Sequence, residues 1–313
     1  MEIKNQATKE FAIQISTNTL PGKHQRGSDR TIRGYINDLE LFANWFKERT
    51  GLDLSAKTLT SDDIQDHITY LQTVMKRKPS TILRRFAAIR AYCLYLLQTE
   101  KHVTSDLTIG IRLPKHKPSS KRGLRRLERL AVGRVFTAPW KDTQQGRYRL
   151  IRDKAIIFSL MHTGLRVEEL SNVTMPDILY LSKRRGAIVI PEGKGNKSRK
   201  AGIPSKARMP LLEWIKLRKE LGVEHEYLFT RVNKGLLPLK VRSIQHIVEE
   251  TRKRAGLGDV ELSAHILRHT AVRIWRKETD DRTTAAQMGH SVATMQRYDA
   301  LKEGDVLEAA EKF

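Results

Sequence analysis

The sequence predicts a mainly α-helical chain with a small β-sheet, folded as two domains. Three observations predict this. Apolar residues recur at helical spacing from residue 28 to residue 97. A basic, proline-containing stretch from Ile111 to Leu130 then breaks the periodicity. Beyond it, helical patterns return around a β-branched run at Gly186 to Ile190 that is followed by turn residues.

Residues 1 to 27 are polar, include Pro21-Gly22-Lys23, and read as an N-terminal arm. Ser28-Asp29 starts a helix whose Ile32, Ile36, Leu39, Phe42, Ala43 and Phe46 form one apolar stripe, and Gly51 ends it. Thr60-Ser61-Asp62-Asp63 offers a capped start to a second helix with Ile64, Ile68 and Leu71 inward. Pro79-Ser80-Thr81 opens a third, with Ile82, Phe86, Ile89, Cys93 and Leu97 on its core face. These make a small helical domain over 28–112. Ile111 to Leu130 carries eight Lys or Arg against one acid, with Pro114 and Pro118, and its first part, 113–125, reads as an extended linker. A basic run between two domains is well placed to cross a phosphate backbone.

The second domain is expected over 126–313. Arg152 to Met161 is an apolar helix, and Arg166 to Leu170 begins another after Gly164. Gly186 to Ile190 and Ala201 to Ile203 form a hairpin around Glu192-Gly193-Lys194-Gly195-Asn196-Lys197. Helices follow near 207–221, 240–255, 263–276 and 281–288.

The chain has 313 residues, 39% of them hydrophobic, and a formal net charge of +23. That hydrophobic fraction supports real cores, and that charge points to a polyanionic partner rather than to a fold. The one cysteine, Cys93, lies in an apolar setting and cannot form an internal disulfide. There is no signal-peptide core, no apolar run of membrane-spanning length and no lipidation signal. A cytoplasmic, nucleoid-associated protein without membrane contact is expected.

The chemistry concentrates between His265 and Tyr298. Planar guanidinium groups match phosphodiester oxygens, and Arg166 and Arg268 are the candidates. Arg166 follows Thr163-Gly164-Leu165 between two apolar helices, and Glu169 one turn on can orient it through an ion pair. In Ser263-Ala264-His265-Ile266-Leu267-Arg268-His269, Ser263 can cap a helix on which His265 and Arg268 share a face. His265 and His269 have a spacing that suits a metal, but neither a glutamate base nor a third ligand cluster accompanies them, so no metal is expected. Gly289 ends a helix, His290 follows, and Ser291 can cap a short helix carrying Tyr298. A tyrosine nucleophile must lose its proton, with His265 the candidate base. A leaving oxygen needs an acid. Lys194 in the Gly-Lys-Gly turn can serve, with Lys197 as the rival. Two arginines, two histidines and a tyrosine together imply phosphodiester chemistry through a phosphotyrosine.

These residues resemble the tyrosine recombinase (phage integrase) family, in particular its Xer-like branch with integrases and resolvases of mobile elements. The resemblance rests on Thr163 to Leu170, Gly193 to Lys197, His265 to His269, Met288-Gly289-His290 and Tyr298, in the family's order. Thr81-x-x-Arg84-Arg85 is similar, less specifically, to the DNA-facing helix of its core-binding domain. The resemblance implies two domains on opposite faces of duplex DNA. Arg166, Lys194, His265, Arg268 and His290 would surround the scissile phosphate. Tyr298 would form a 3′-phosphotyrosyl link, and two strand exchanges would pass through a Holliday junction in a homotetramer. No cofactor, ATP or metal is implied, because the ester keeps the bond energy. Accessory proteins are compatible with it. The segment after the tyrosine would dock on a neighbouring protomer, here with Val306, Leu307, Ala309, Ala310 and Phe313 as its apolar face. The spacing from His290 to Tyr298 is one residue shorter than the family usually shows.

Candidates for DNA contact are Arg84, Arg85, Lys115, Lys117 and Arg242. Two other readings share many of these residues. One is a type IB topoisomerase-like enzyme with the same covalent chemistry. The other is a site-specific DNA-binding protein without catalysis.

Overall fold

The computed structural model describes residues 5–17, 28–100, 103–115, 123–138, 141–191, 198–233 and 236–289. The chain divides into two compact units, residues 1–118 and 119–313.

The first unit is helical. It contains α1 (Gln6–Thr17), α2 (Asp29–Thr50), α3 (Ser61–Thr73) and α4 (Pro79–Thr99). The boundaries follow from local chemistry. The Ser28 hydroxyl accepts from the Thr31 amide at the start of α2, and Gly51 ends it at φ 73°. Thr60 and Asp63 cap α3 reciprocally, and Pro79 occupies the first turn of α4. Phe42, Phe46, Ile64, Ile68, Ile89 and Tyr92 meet in one core. Residues 6–17 correct the expected polar arm: they form α1, and Phe11 and Ile15 are fully buried in this same core. Ala7, Phe11 and Ile15 recur at i, i+4 and i+8, a short stripe set in an otherwise polar N-terminal stretch. Past α4 the chain runs back over the unit. Arg112 is held by Gln65 at both main-chain groups, at 2.7 and 3.4 Å.

The second unit contains α5 (Arg126–Arg134), α6 (Gln144–Thr163), α7 (Val167–Asn172), β1 (Ile178–Leu181), β2 (Gly186–Ile190), β3 (Arg199–Gly202), α8 (Ser205–Glu220), α9 (Val241–Arg254), α10 (Ala264–Glu278) and α11 (Asp281–Met288). Helix α6 lies at its centre, packed by α8 and α10, with Ala155, Ile156 and Leu160 wholly buried beside Leu211 and Trp214. Each large apolar side chain buried there stabilises the unit by about 1.5–3 kcal/mol. The buried Trp214 indole still needs an acceptor and finds it in the Leu228 carbonyl at 2.9 Å.

The sheet is antiparallel in the order β1-β2-β3, with Val189 opposite Lys200 and Ile190 opposite Arg199. The hairpin expectation covered β2 and β3 and missed β1. Where the basic stretch enters the second unit it is fastened to α10. The Leu124 amide donates to the Thr270 hydroxyl at 2.8 Å. A Cβ on Gly123 would lie 2.8 Å from the Thr270 Cα, so glycine permits this close approach.

Candidate active site

The site is assembled where the end of α6, the start of α7, the first residue of β3, the middle of α10 and the end of α11 converge. Gly164 terminates α6 in the left-handed region at φ 71°. That turn places Arg166 immediately before α7. Arg166 is a poor cap by type, yet its amide is satisfied by the Glu169 carboxylate at 2.7 Å. The same carboxylate receives the Arg166 guanidinium at 2.7 Å, so the ion pair expected from the sequence is present. The Arg166 side chain keeps 43% of its surface exposed.

Arg268 is very different. Its residue surface is only 3% exposed. Its guanidinium donates to the Gly164 carbonyl and, at 2.5 Å, to the Met288 carbonyl. These are orphan carbonyls at the ends of two helices, α6 and α11. Arg268 thus stitches α10 to both, and its Nη1 lies 3.8 Å from Glu169 Oε2. Ser263 caps α10 through the Ile266 amide at 3.3 Å, while Ile266 and Leu267 face the core as expected. His265 is exposed one turn before Arg268 and meets His269 edge to face at 4.4 Å between ring centres. Among the described residues, no group of three or more His, Cys, Asp or Glu could hold a metal ion.

A third arginine completes the cluster, and sequence reasoning missed it. Arg199 opens β3 and pairs with both Glu169 oxygens, at 3.0 and 2.7 Å. Its Nε also donates to the Gln287 carbonyl at 3.3 Å. Burial opposes ionisation of Glu169, but the hydrogen bonds and charges of Arg199 and Arg166 outweigh it and hold the carboxyl down at about 2. A signal for Arg199 did exist. On a strand, residues two apart share a face. Arg199 therefore points the same way as Ala201, which is wholly buried.

Gln287 locks the same corner. Its amide nitrogen donates to the carbonyls of Thr163 and Gly202 at 2.9 and 3.0 Å. Its oxygen accepts from the Gly202 amide at 2.8 Å. Residues Lys194, Lys197, His290 and Tyr298, and the apolar tail from Val306 to Phe313, lie outside the described residues.

Among the DNA-contact candidates, Arg84 is half exposed and paired with Asp38, whose side chain is wholly buried. Arg85 beside it is partly buried, and desolvation lowers its pKa from the ordinary value. Lys115 and Arg242 are exposed, the latter in the first turn of α9. Lys117 lies outside the described residues. No helix among the described residues is long and apolar enough to cross a membrane.

Residues 142–304 match the phage integrase family, and residues 23–100 match its N-terminal SAM-like domain. The chain is 30% identical over 305 residues to the tyrosine recombinase XerC of Caldanaerobacter subterraneus subsp. tengcongensis, covering 91% of this chain and 82% of that protein. It is 31% identical to the tyrosine recombinase XerD of Halalkalibacterium halodurans, over 88% of this chain and 89% of that protein. The fold is that of XerH site-specific recombinase bound to palindromic difH substrate, with a TM-score of 0.75 at 17% identity over 97% of this chain and 94% of the other. It is also that of a lambda integrase dimer bound to a COC′ core site, with a TM-score of 0.67 at 17% identity over 95% and 96%. The chain therefore belongs to the phage integrase family, the site-specific tyrosine recombinases that cleave DNA and transfer its strands.

Proposed function

We propose that this chain cleaves and rejoins duplex DNA at a specific core site through Tyr298, in integration, excision or resolution of a mobile element or replicon. The observation that carries the reading is the gathering of Arg166 and Arg268 around one ionised carboxylate, Glu169, at the seam of α6, α10 and α11. Arg166 and Arg268 hold the scissile phosphate, with Glu169 orienting the first. His265 takes the Tyr298 proton, and His290 donates to a non-bridging oxygen. The Tyr298 oxygen bonds to phosphorus as the bond to the 5′ oxygen breaks, and Lys194 protonates that leaving oxygen. A 3′-phosphotyrosine and a free 5′-hydroxyl result. Attack by the 5′-hydroxyl of a partner strand reverses the step, so one ester replaces another and no energy source is consumed.

The net charge of +23 supports duplex DNA as the partner, with Arg84, Arg85, Lys115, Lys117 and Arg242 as contacts. Clasping of the duplex by the two units, a homotetramer exchanging strands through a Holliday junction, and accessory proteins belong to the same reading, as does action in the cytoplasm at the nucleoid. The domain limits that go with it are 28–112 for core binding and 126–313 for catalysis.

The test is to incubate the wild-type chain and Tyr298→Phe with DNA from the native genetic neighbourhood, denature with SDS, and sequence the ends of protein-linked fragments. Adducts at one or a few positions, seen only with the wild type, are expected. Adducts scattered over all DNA would point instead to a topoisomerase-like enzyme. Bound DNA without adducts would point to a non-catalytic binding protein.

A further inference from the structure

We infer that Arg199 is a positioning residue of the recombination site, which fixes Glu169 so that Glu169 holds Arg166 and leaves Arg268 to the phosphate. This rests on the recombinase reading above.

The bonding of the carboxylate carries the inference. Glu169 Oε1 accepts from Arg166 Nη1 at 2.7 Å and from Arg199 Nη1 at 3.0 Å. Oε2 accepts from the Arg166 amide and from Arg199 Nη2, both at 2.7 Å. Four bonds fill the roughly four lone-pair sites of a carboxylate. Arg199 supplies two of them in the parallel fork that only a guanidinium provides. With its lone pairs filled, Glu169 stands 3.8 Å from the Arg268 guanidinium.

Loss of Arg199 would change that balance. Half of the bonds to Glu169 would vanish, in a place where both side chains are mostly buried, 14% and 11% exposed. Glu169 would still hold Arg166 at 2.7 Å, but with two lone-pair sites vacated it can also turn towards Arg268, the other cation beside it at 3.8 Å, because charge attraction at these distances is strong away from water. A carboxylate shared in that way would draw on one phosphate-binding arginine and loosen its hold on the other.

Both terminal nitrogens of Arg199 serve Glu169, and its Nε serves the Gln287 carbonyl. It also lies against the turn that ends α11. A Cβ on Gly289 would stand 2.8 Å from Arg199 Nη1, and that glycine has φ 63°. One side chain therefore ties β3, α7 and the end of α11 to a single carboxylate.

The experiment measures single-turnover formation of the protein–DNA adduct on the native core site for Arg199→Ala and Arg199→Lys. Each is made in the wild type and in a Glu169→Gln background. Thermal unfolding and DNA affinity are measured alongside. Arg199→Ala should slow adduct formation at least about tenfold in the wild type while changing DNA affinity less than about threefold, since orientation rather than charge is lost. In the Glu169→Gln background the same change should cost less than about twofold, because Arg199 acts through that carboxylate. A purely structural role would lower the rate by the same factor in both backgrounds, and that result would overturn the inference. So would an Arg199→Ala rate within about twofold of wild type. If Arg199→Ala does not unfold cooperatively, Arg199→Lys decides by the same comparison, with a smaller loss expected because lysine cannot form the fork. Absence of any adduct from the wild type would sink the recombinase reading and the inference with it. An adduct indifferent to Arg199 would sink the inference alone.

Discussion

The guanidinium of Arg268 donates to the main-chain carbonyl of Gly164, across 104 residues of sequence, and so joins the middle of α10 to the end of α6. Arg166 and Arg268 therefore stand in opposite environments. Arg166 faces solvent and Arg268 is built into the interior.

That contrast separates their effects on stability. Arg268→Ala strands the carbonyls of Gly164 and Met288, each costing about 1–3 kcal/mol when buried and unpaired. A destabilisation of about 2–5 kcal/mol in urea unfolding is expected. Arg166→Ala removes a half-exposed ion pair and should cost less than about 1 kcal/mol. Both should abolish adduct formation. Equal stability losses would contradict the burial difference.

Gly164 is the hinge of the same contact. It has φ 71°, and a Cβ there would lie 2.2 Å from the Met288 sulfur and 3.3 Å from the Ala271 Cβ. Gly164→Ala combines backbone strain with a clash and should destabilise by about 1–3 kcal/mol. In differential scanning calorimetry that corresponds to a fall of about 3–8 °C in melting temperature. An unchanged melting temperature would show that this turn carries no such constraint.

The ionisation of Glu169 gives a pH signature. Its folded pKa, about 2, lies below the ordinary 4.5. A group depressed in the folded state contributes stability above its unfolded pKa and loses it as pH falls towards the folded value. The stability gap between wild type and Glu169→Gln should therefore be constant from pH 7 to about 5.5 and narrow steadily below about 4.5. Denaturation midpoints measured between pH 7 and pH 3 check this. A gap that does not change down to pH 3 would mean that the pair is not ionised as described.

The charge of the chain sets the salt dependence of DNA binding. With a net charge of +23, the logarithm of the affinity should fall steeply with the logarithm of the salt concentration. Fluorescence anisotropy at several potassium chloride concentrations measures the slope. A flat line would argue against extensive phosphate contact.

Much of this architecture was readable in the sequence. Ser28, Gly51, Thr60 and Pro79 mark helix ends by their own chemistry, and the structure places the ends of α2, α3 and α4 there. The Arg166–Glu169 pair was readable because both residues sit within one turn. The failures share a physical cause. The first two turns of α6 are polar and carry no apolar stripe, so periodicity began only near Arg152. The stripe of helix α1 is short, Ala7, Phe11 and Ile15, and polar sequence flanks it. Strand β1 is four residues long, too short for alternation to be distinctive. Arg199 lies between Lys197 and Lys200, where composition suggests only a solvated basic run. What distinguishes it is a carboxylate 30 residues away. The one local trace is that Arg199 shares a strand face with the buried Ala201.

The most direct measurement identifies the residue that carries the DNA. The wild-type adduct would be trapped on the native core site, digested with nuclease and protease, and its modified peptide sequenced by mass spectrometry. A nucleotide attached to Tyr298, through a 3′ phosphate, is the expected result. Attachment to any other side chain, or a free 3′ phosphate with no peptide, would contradict the assignment of Tyr298 as the nucleophile.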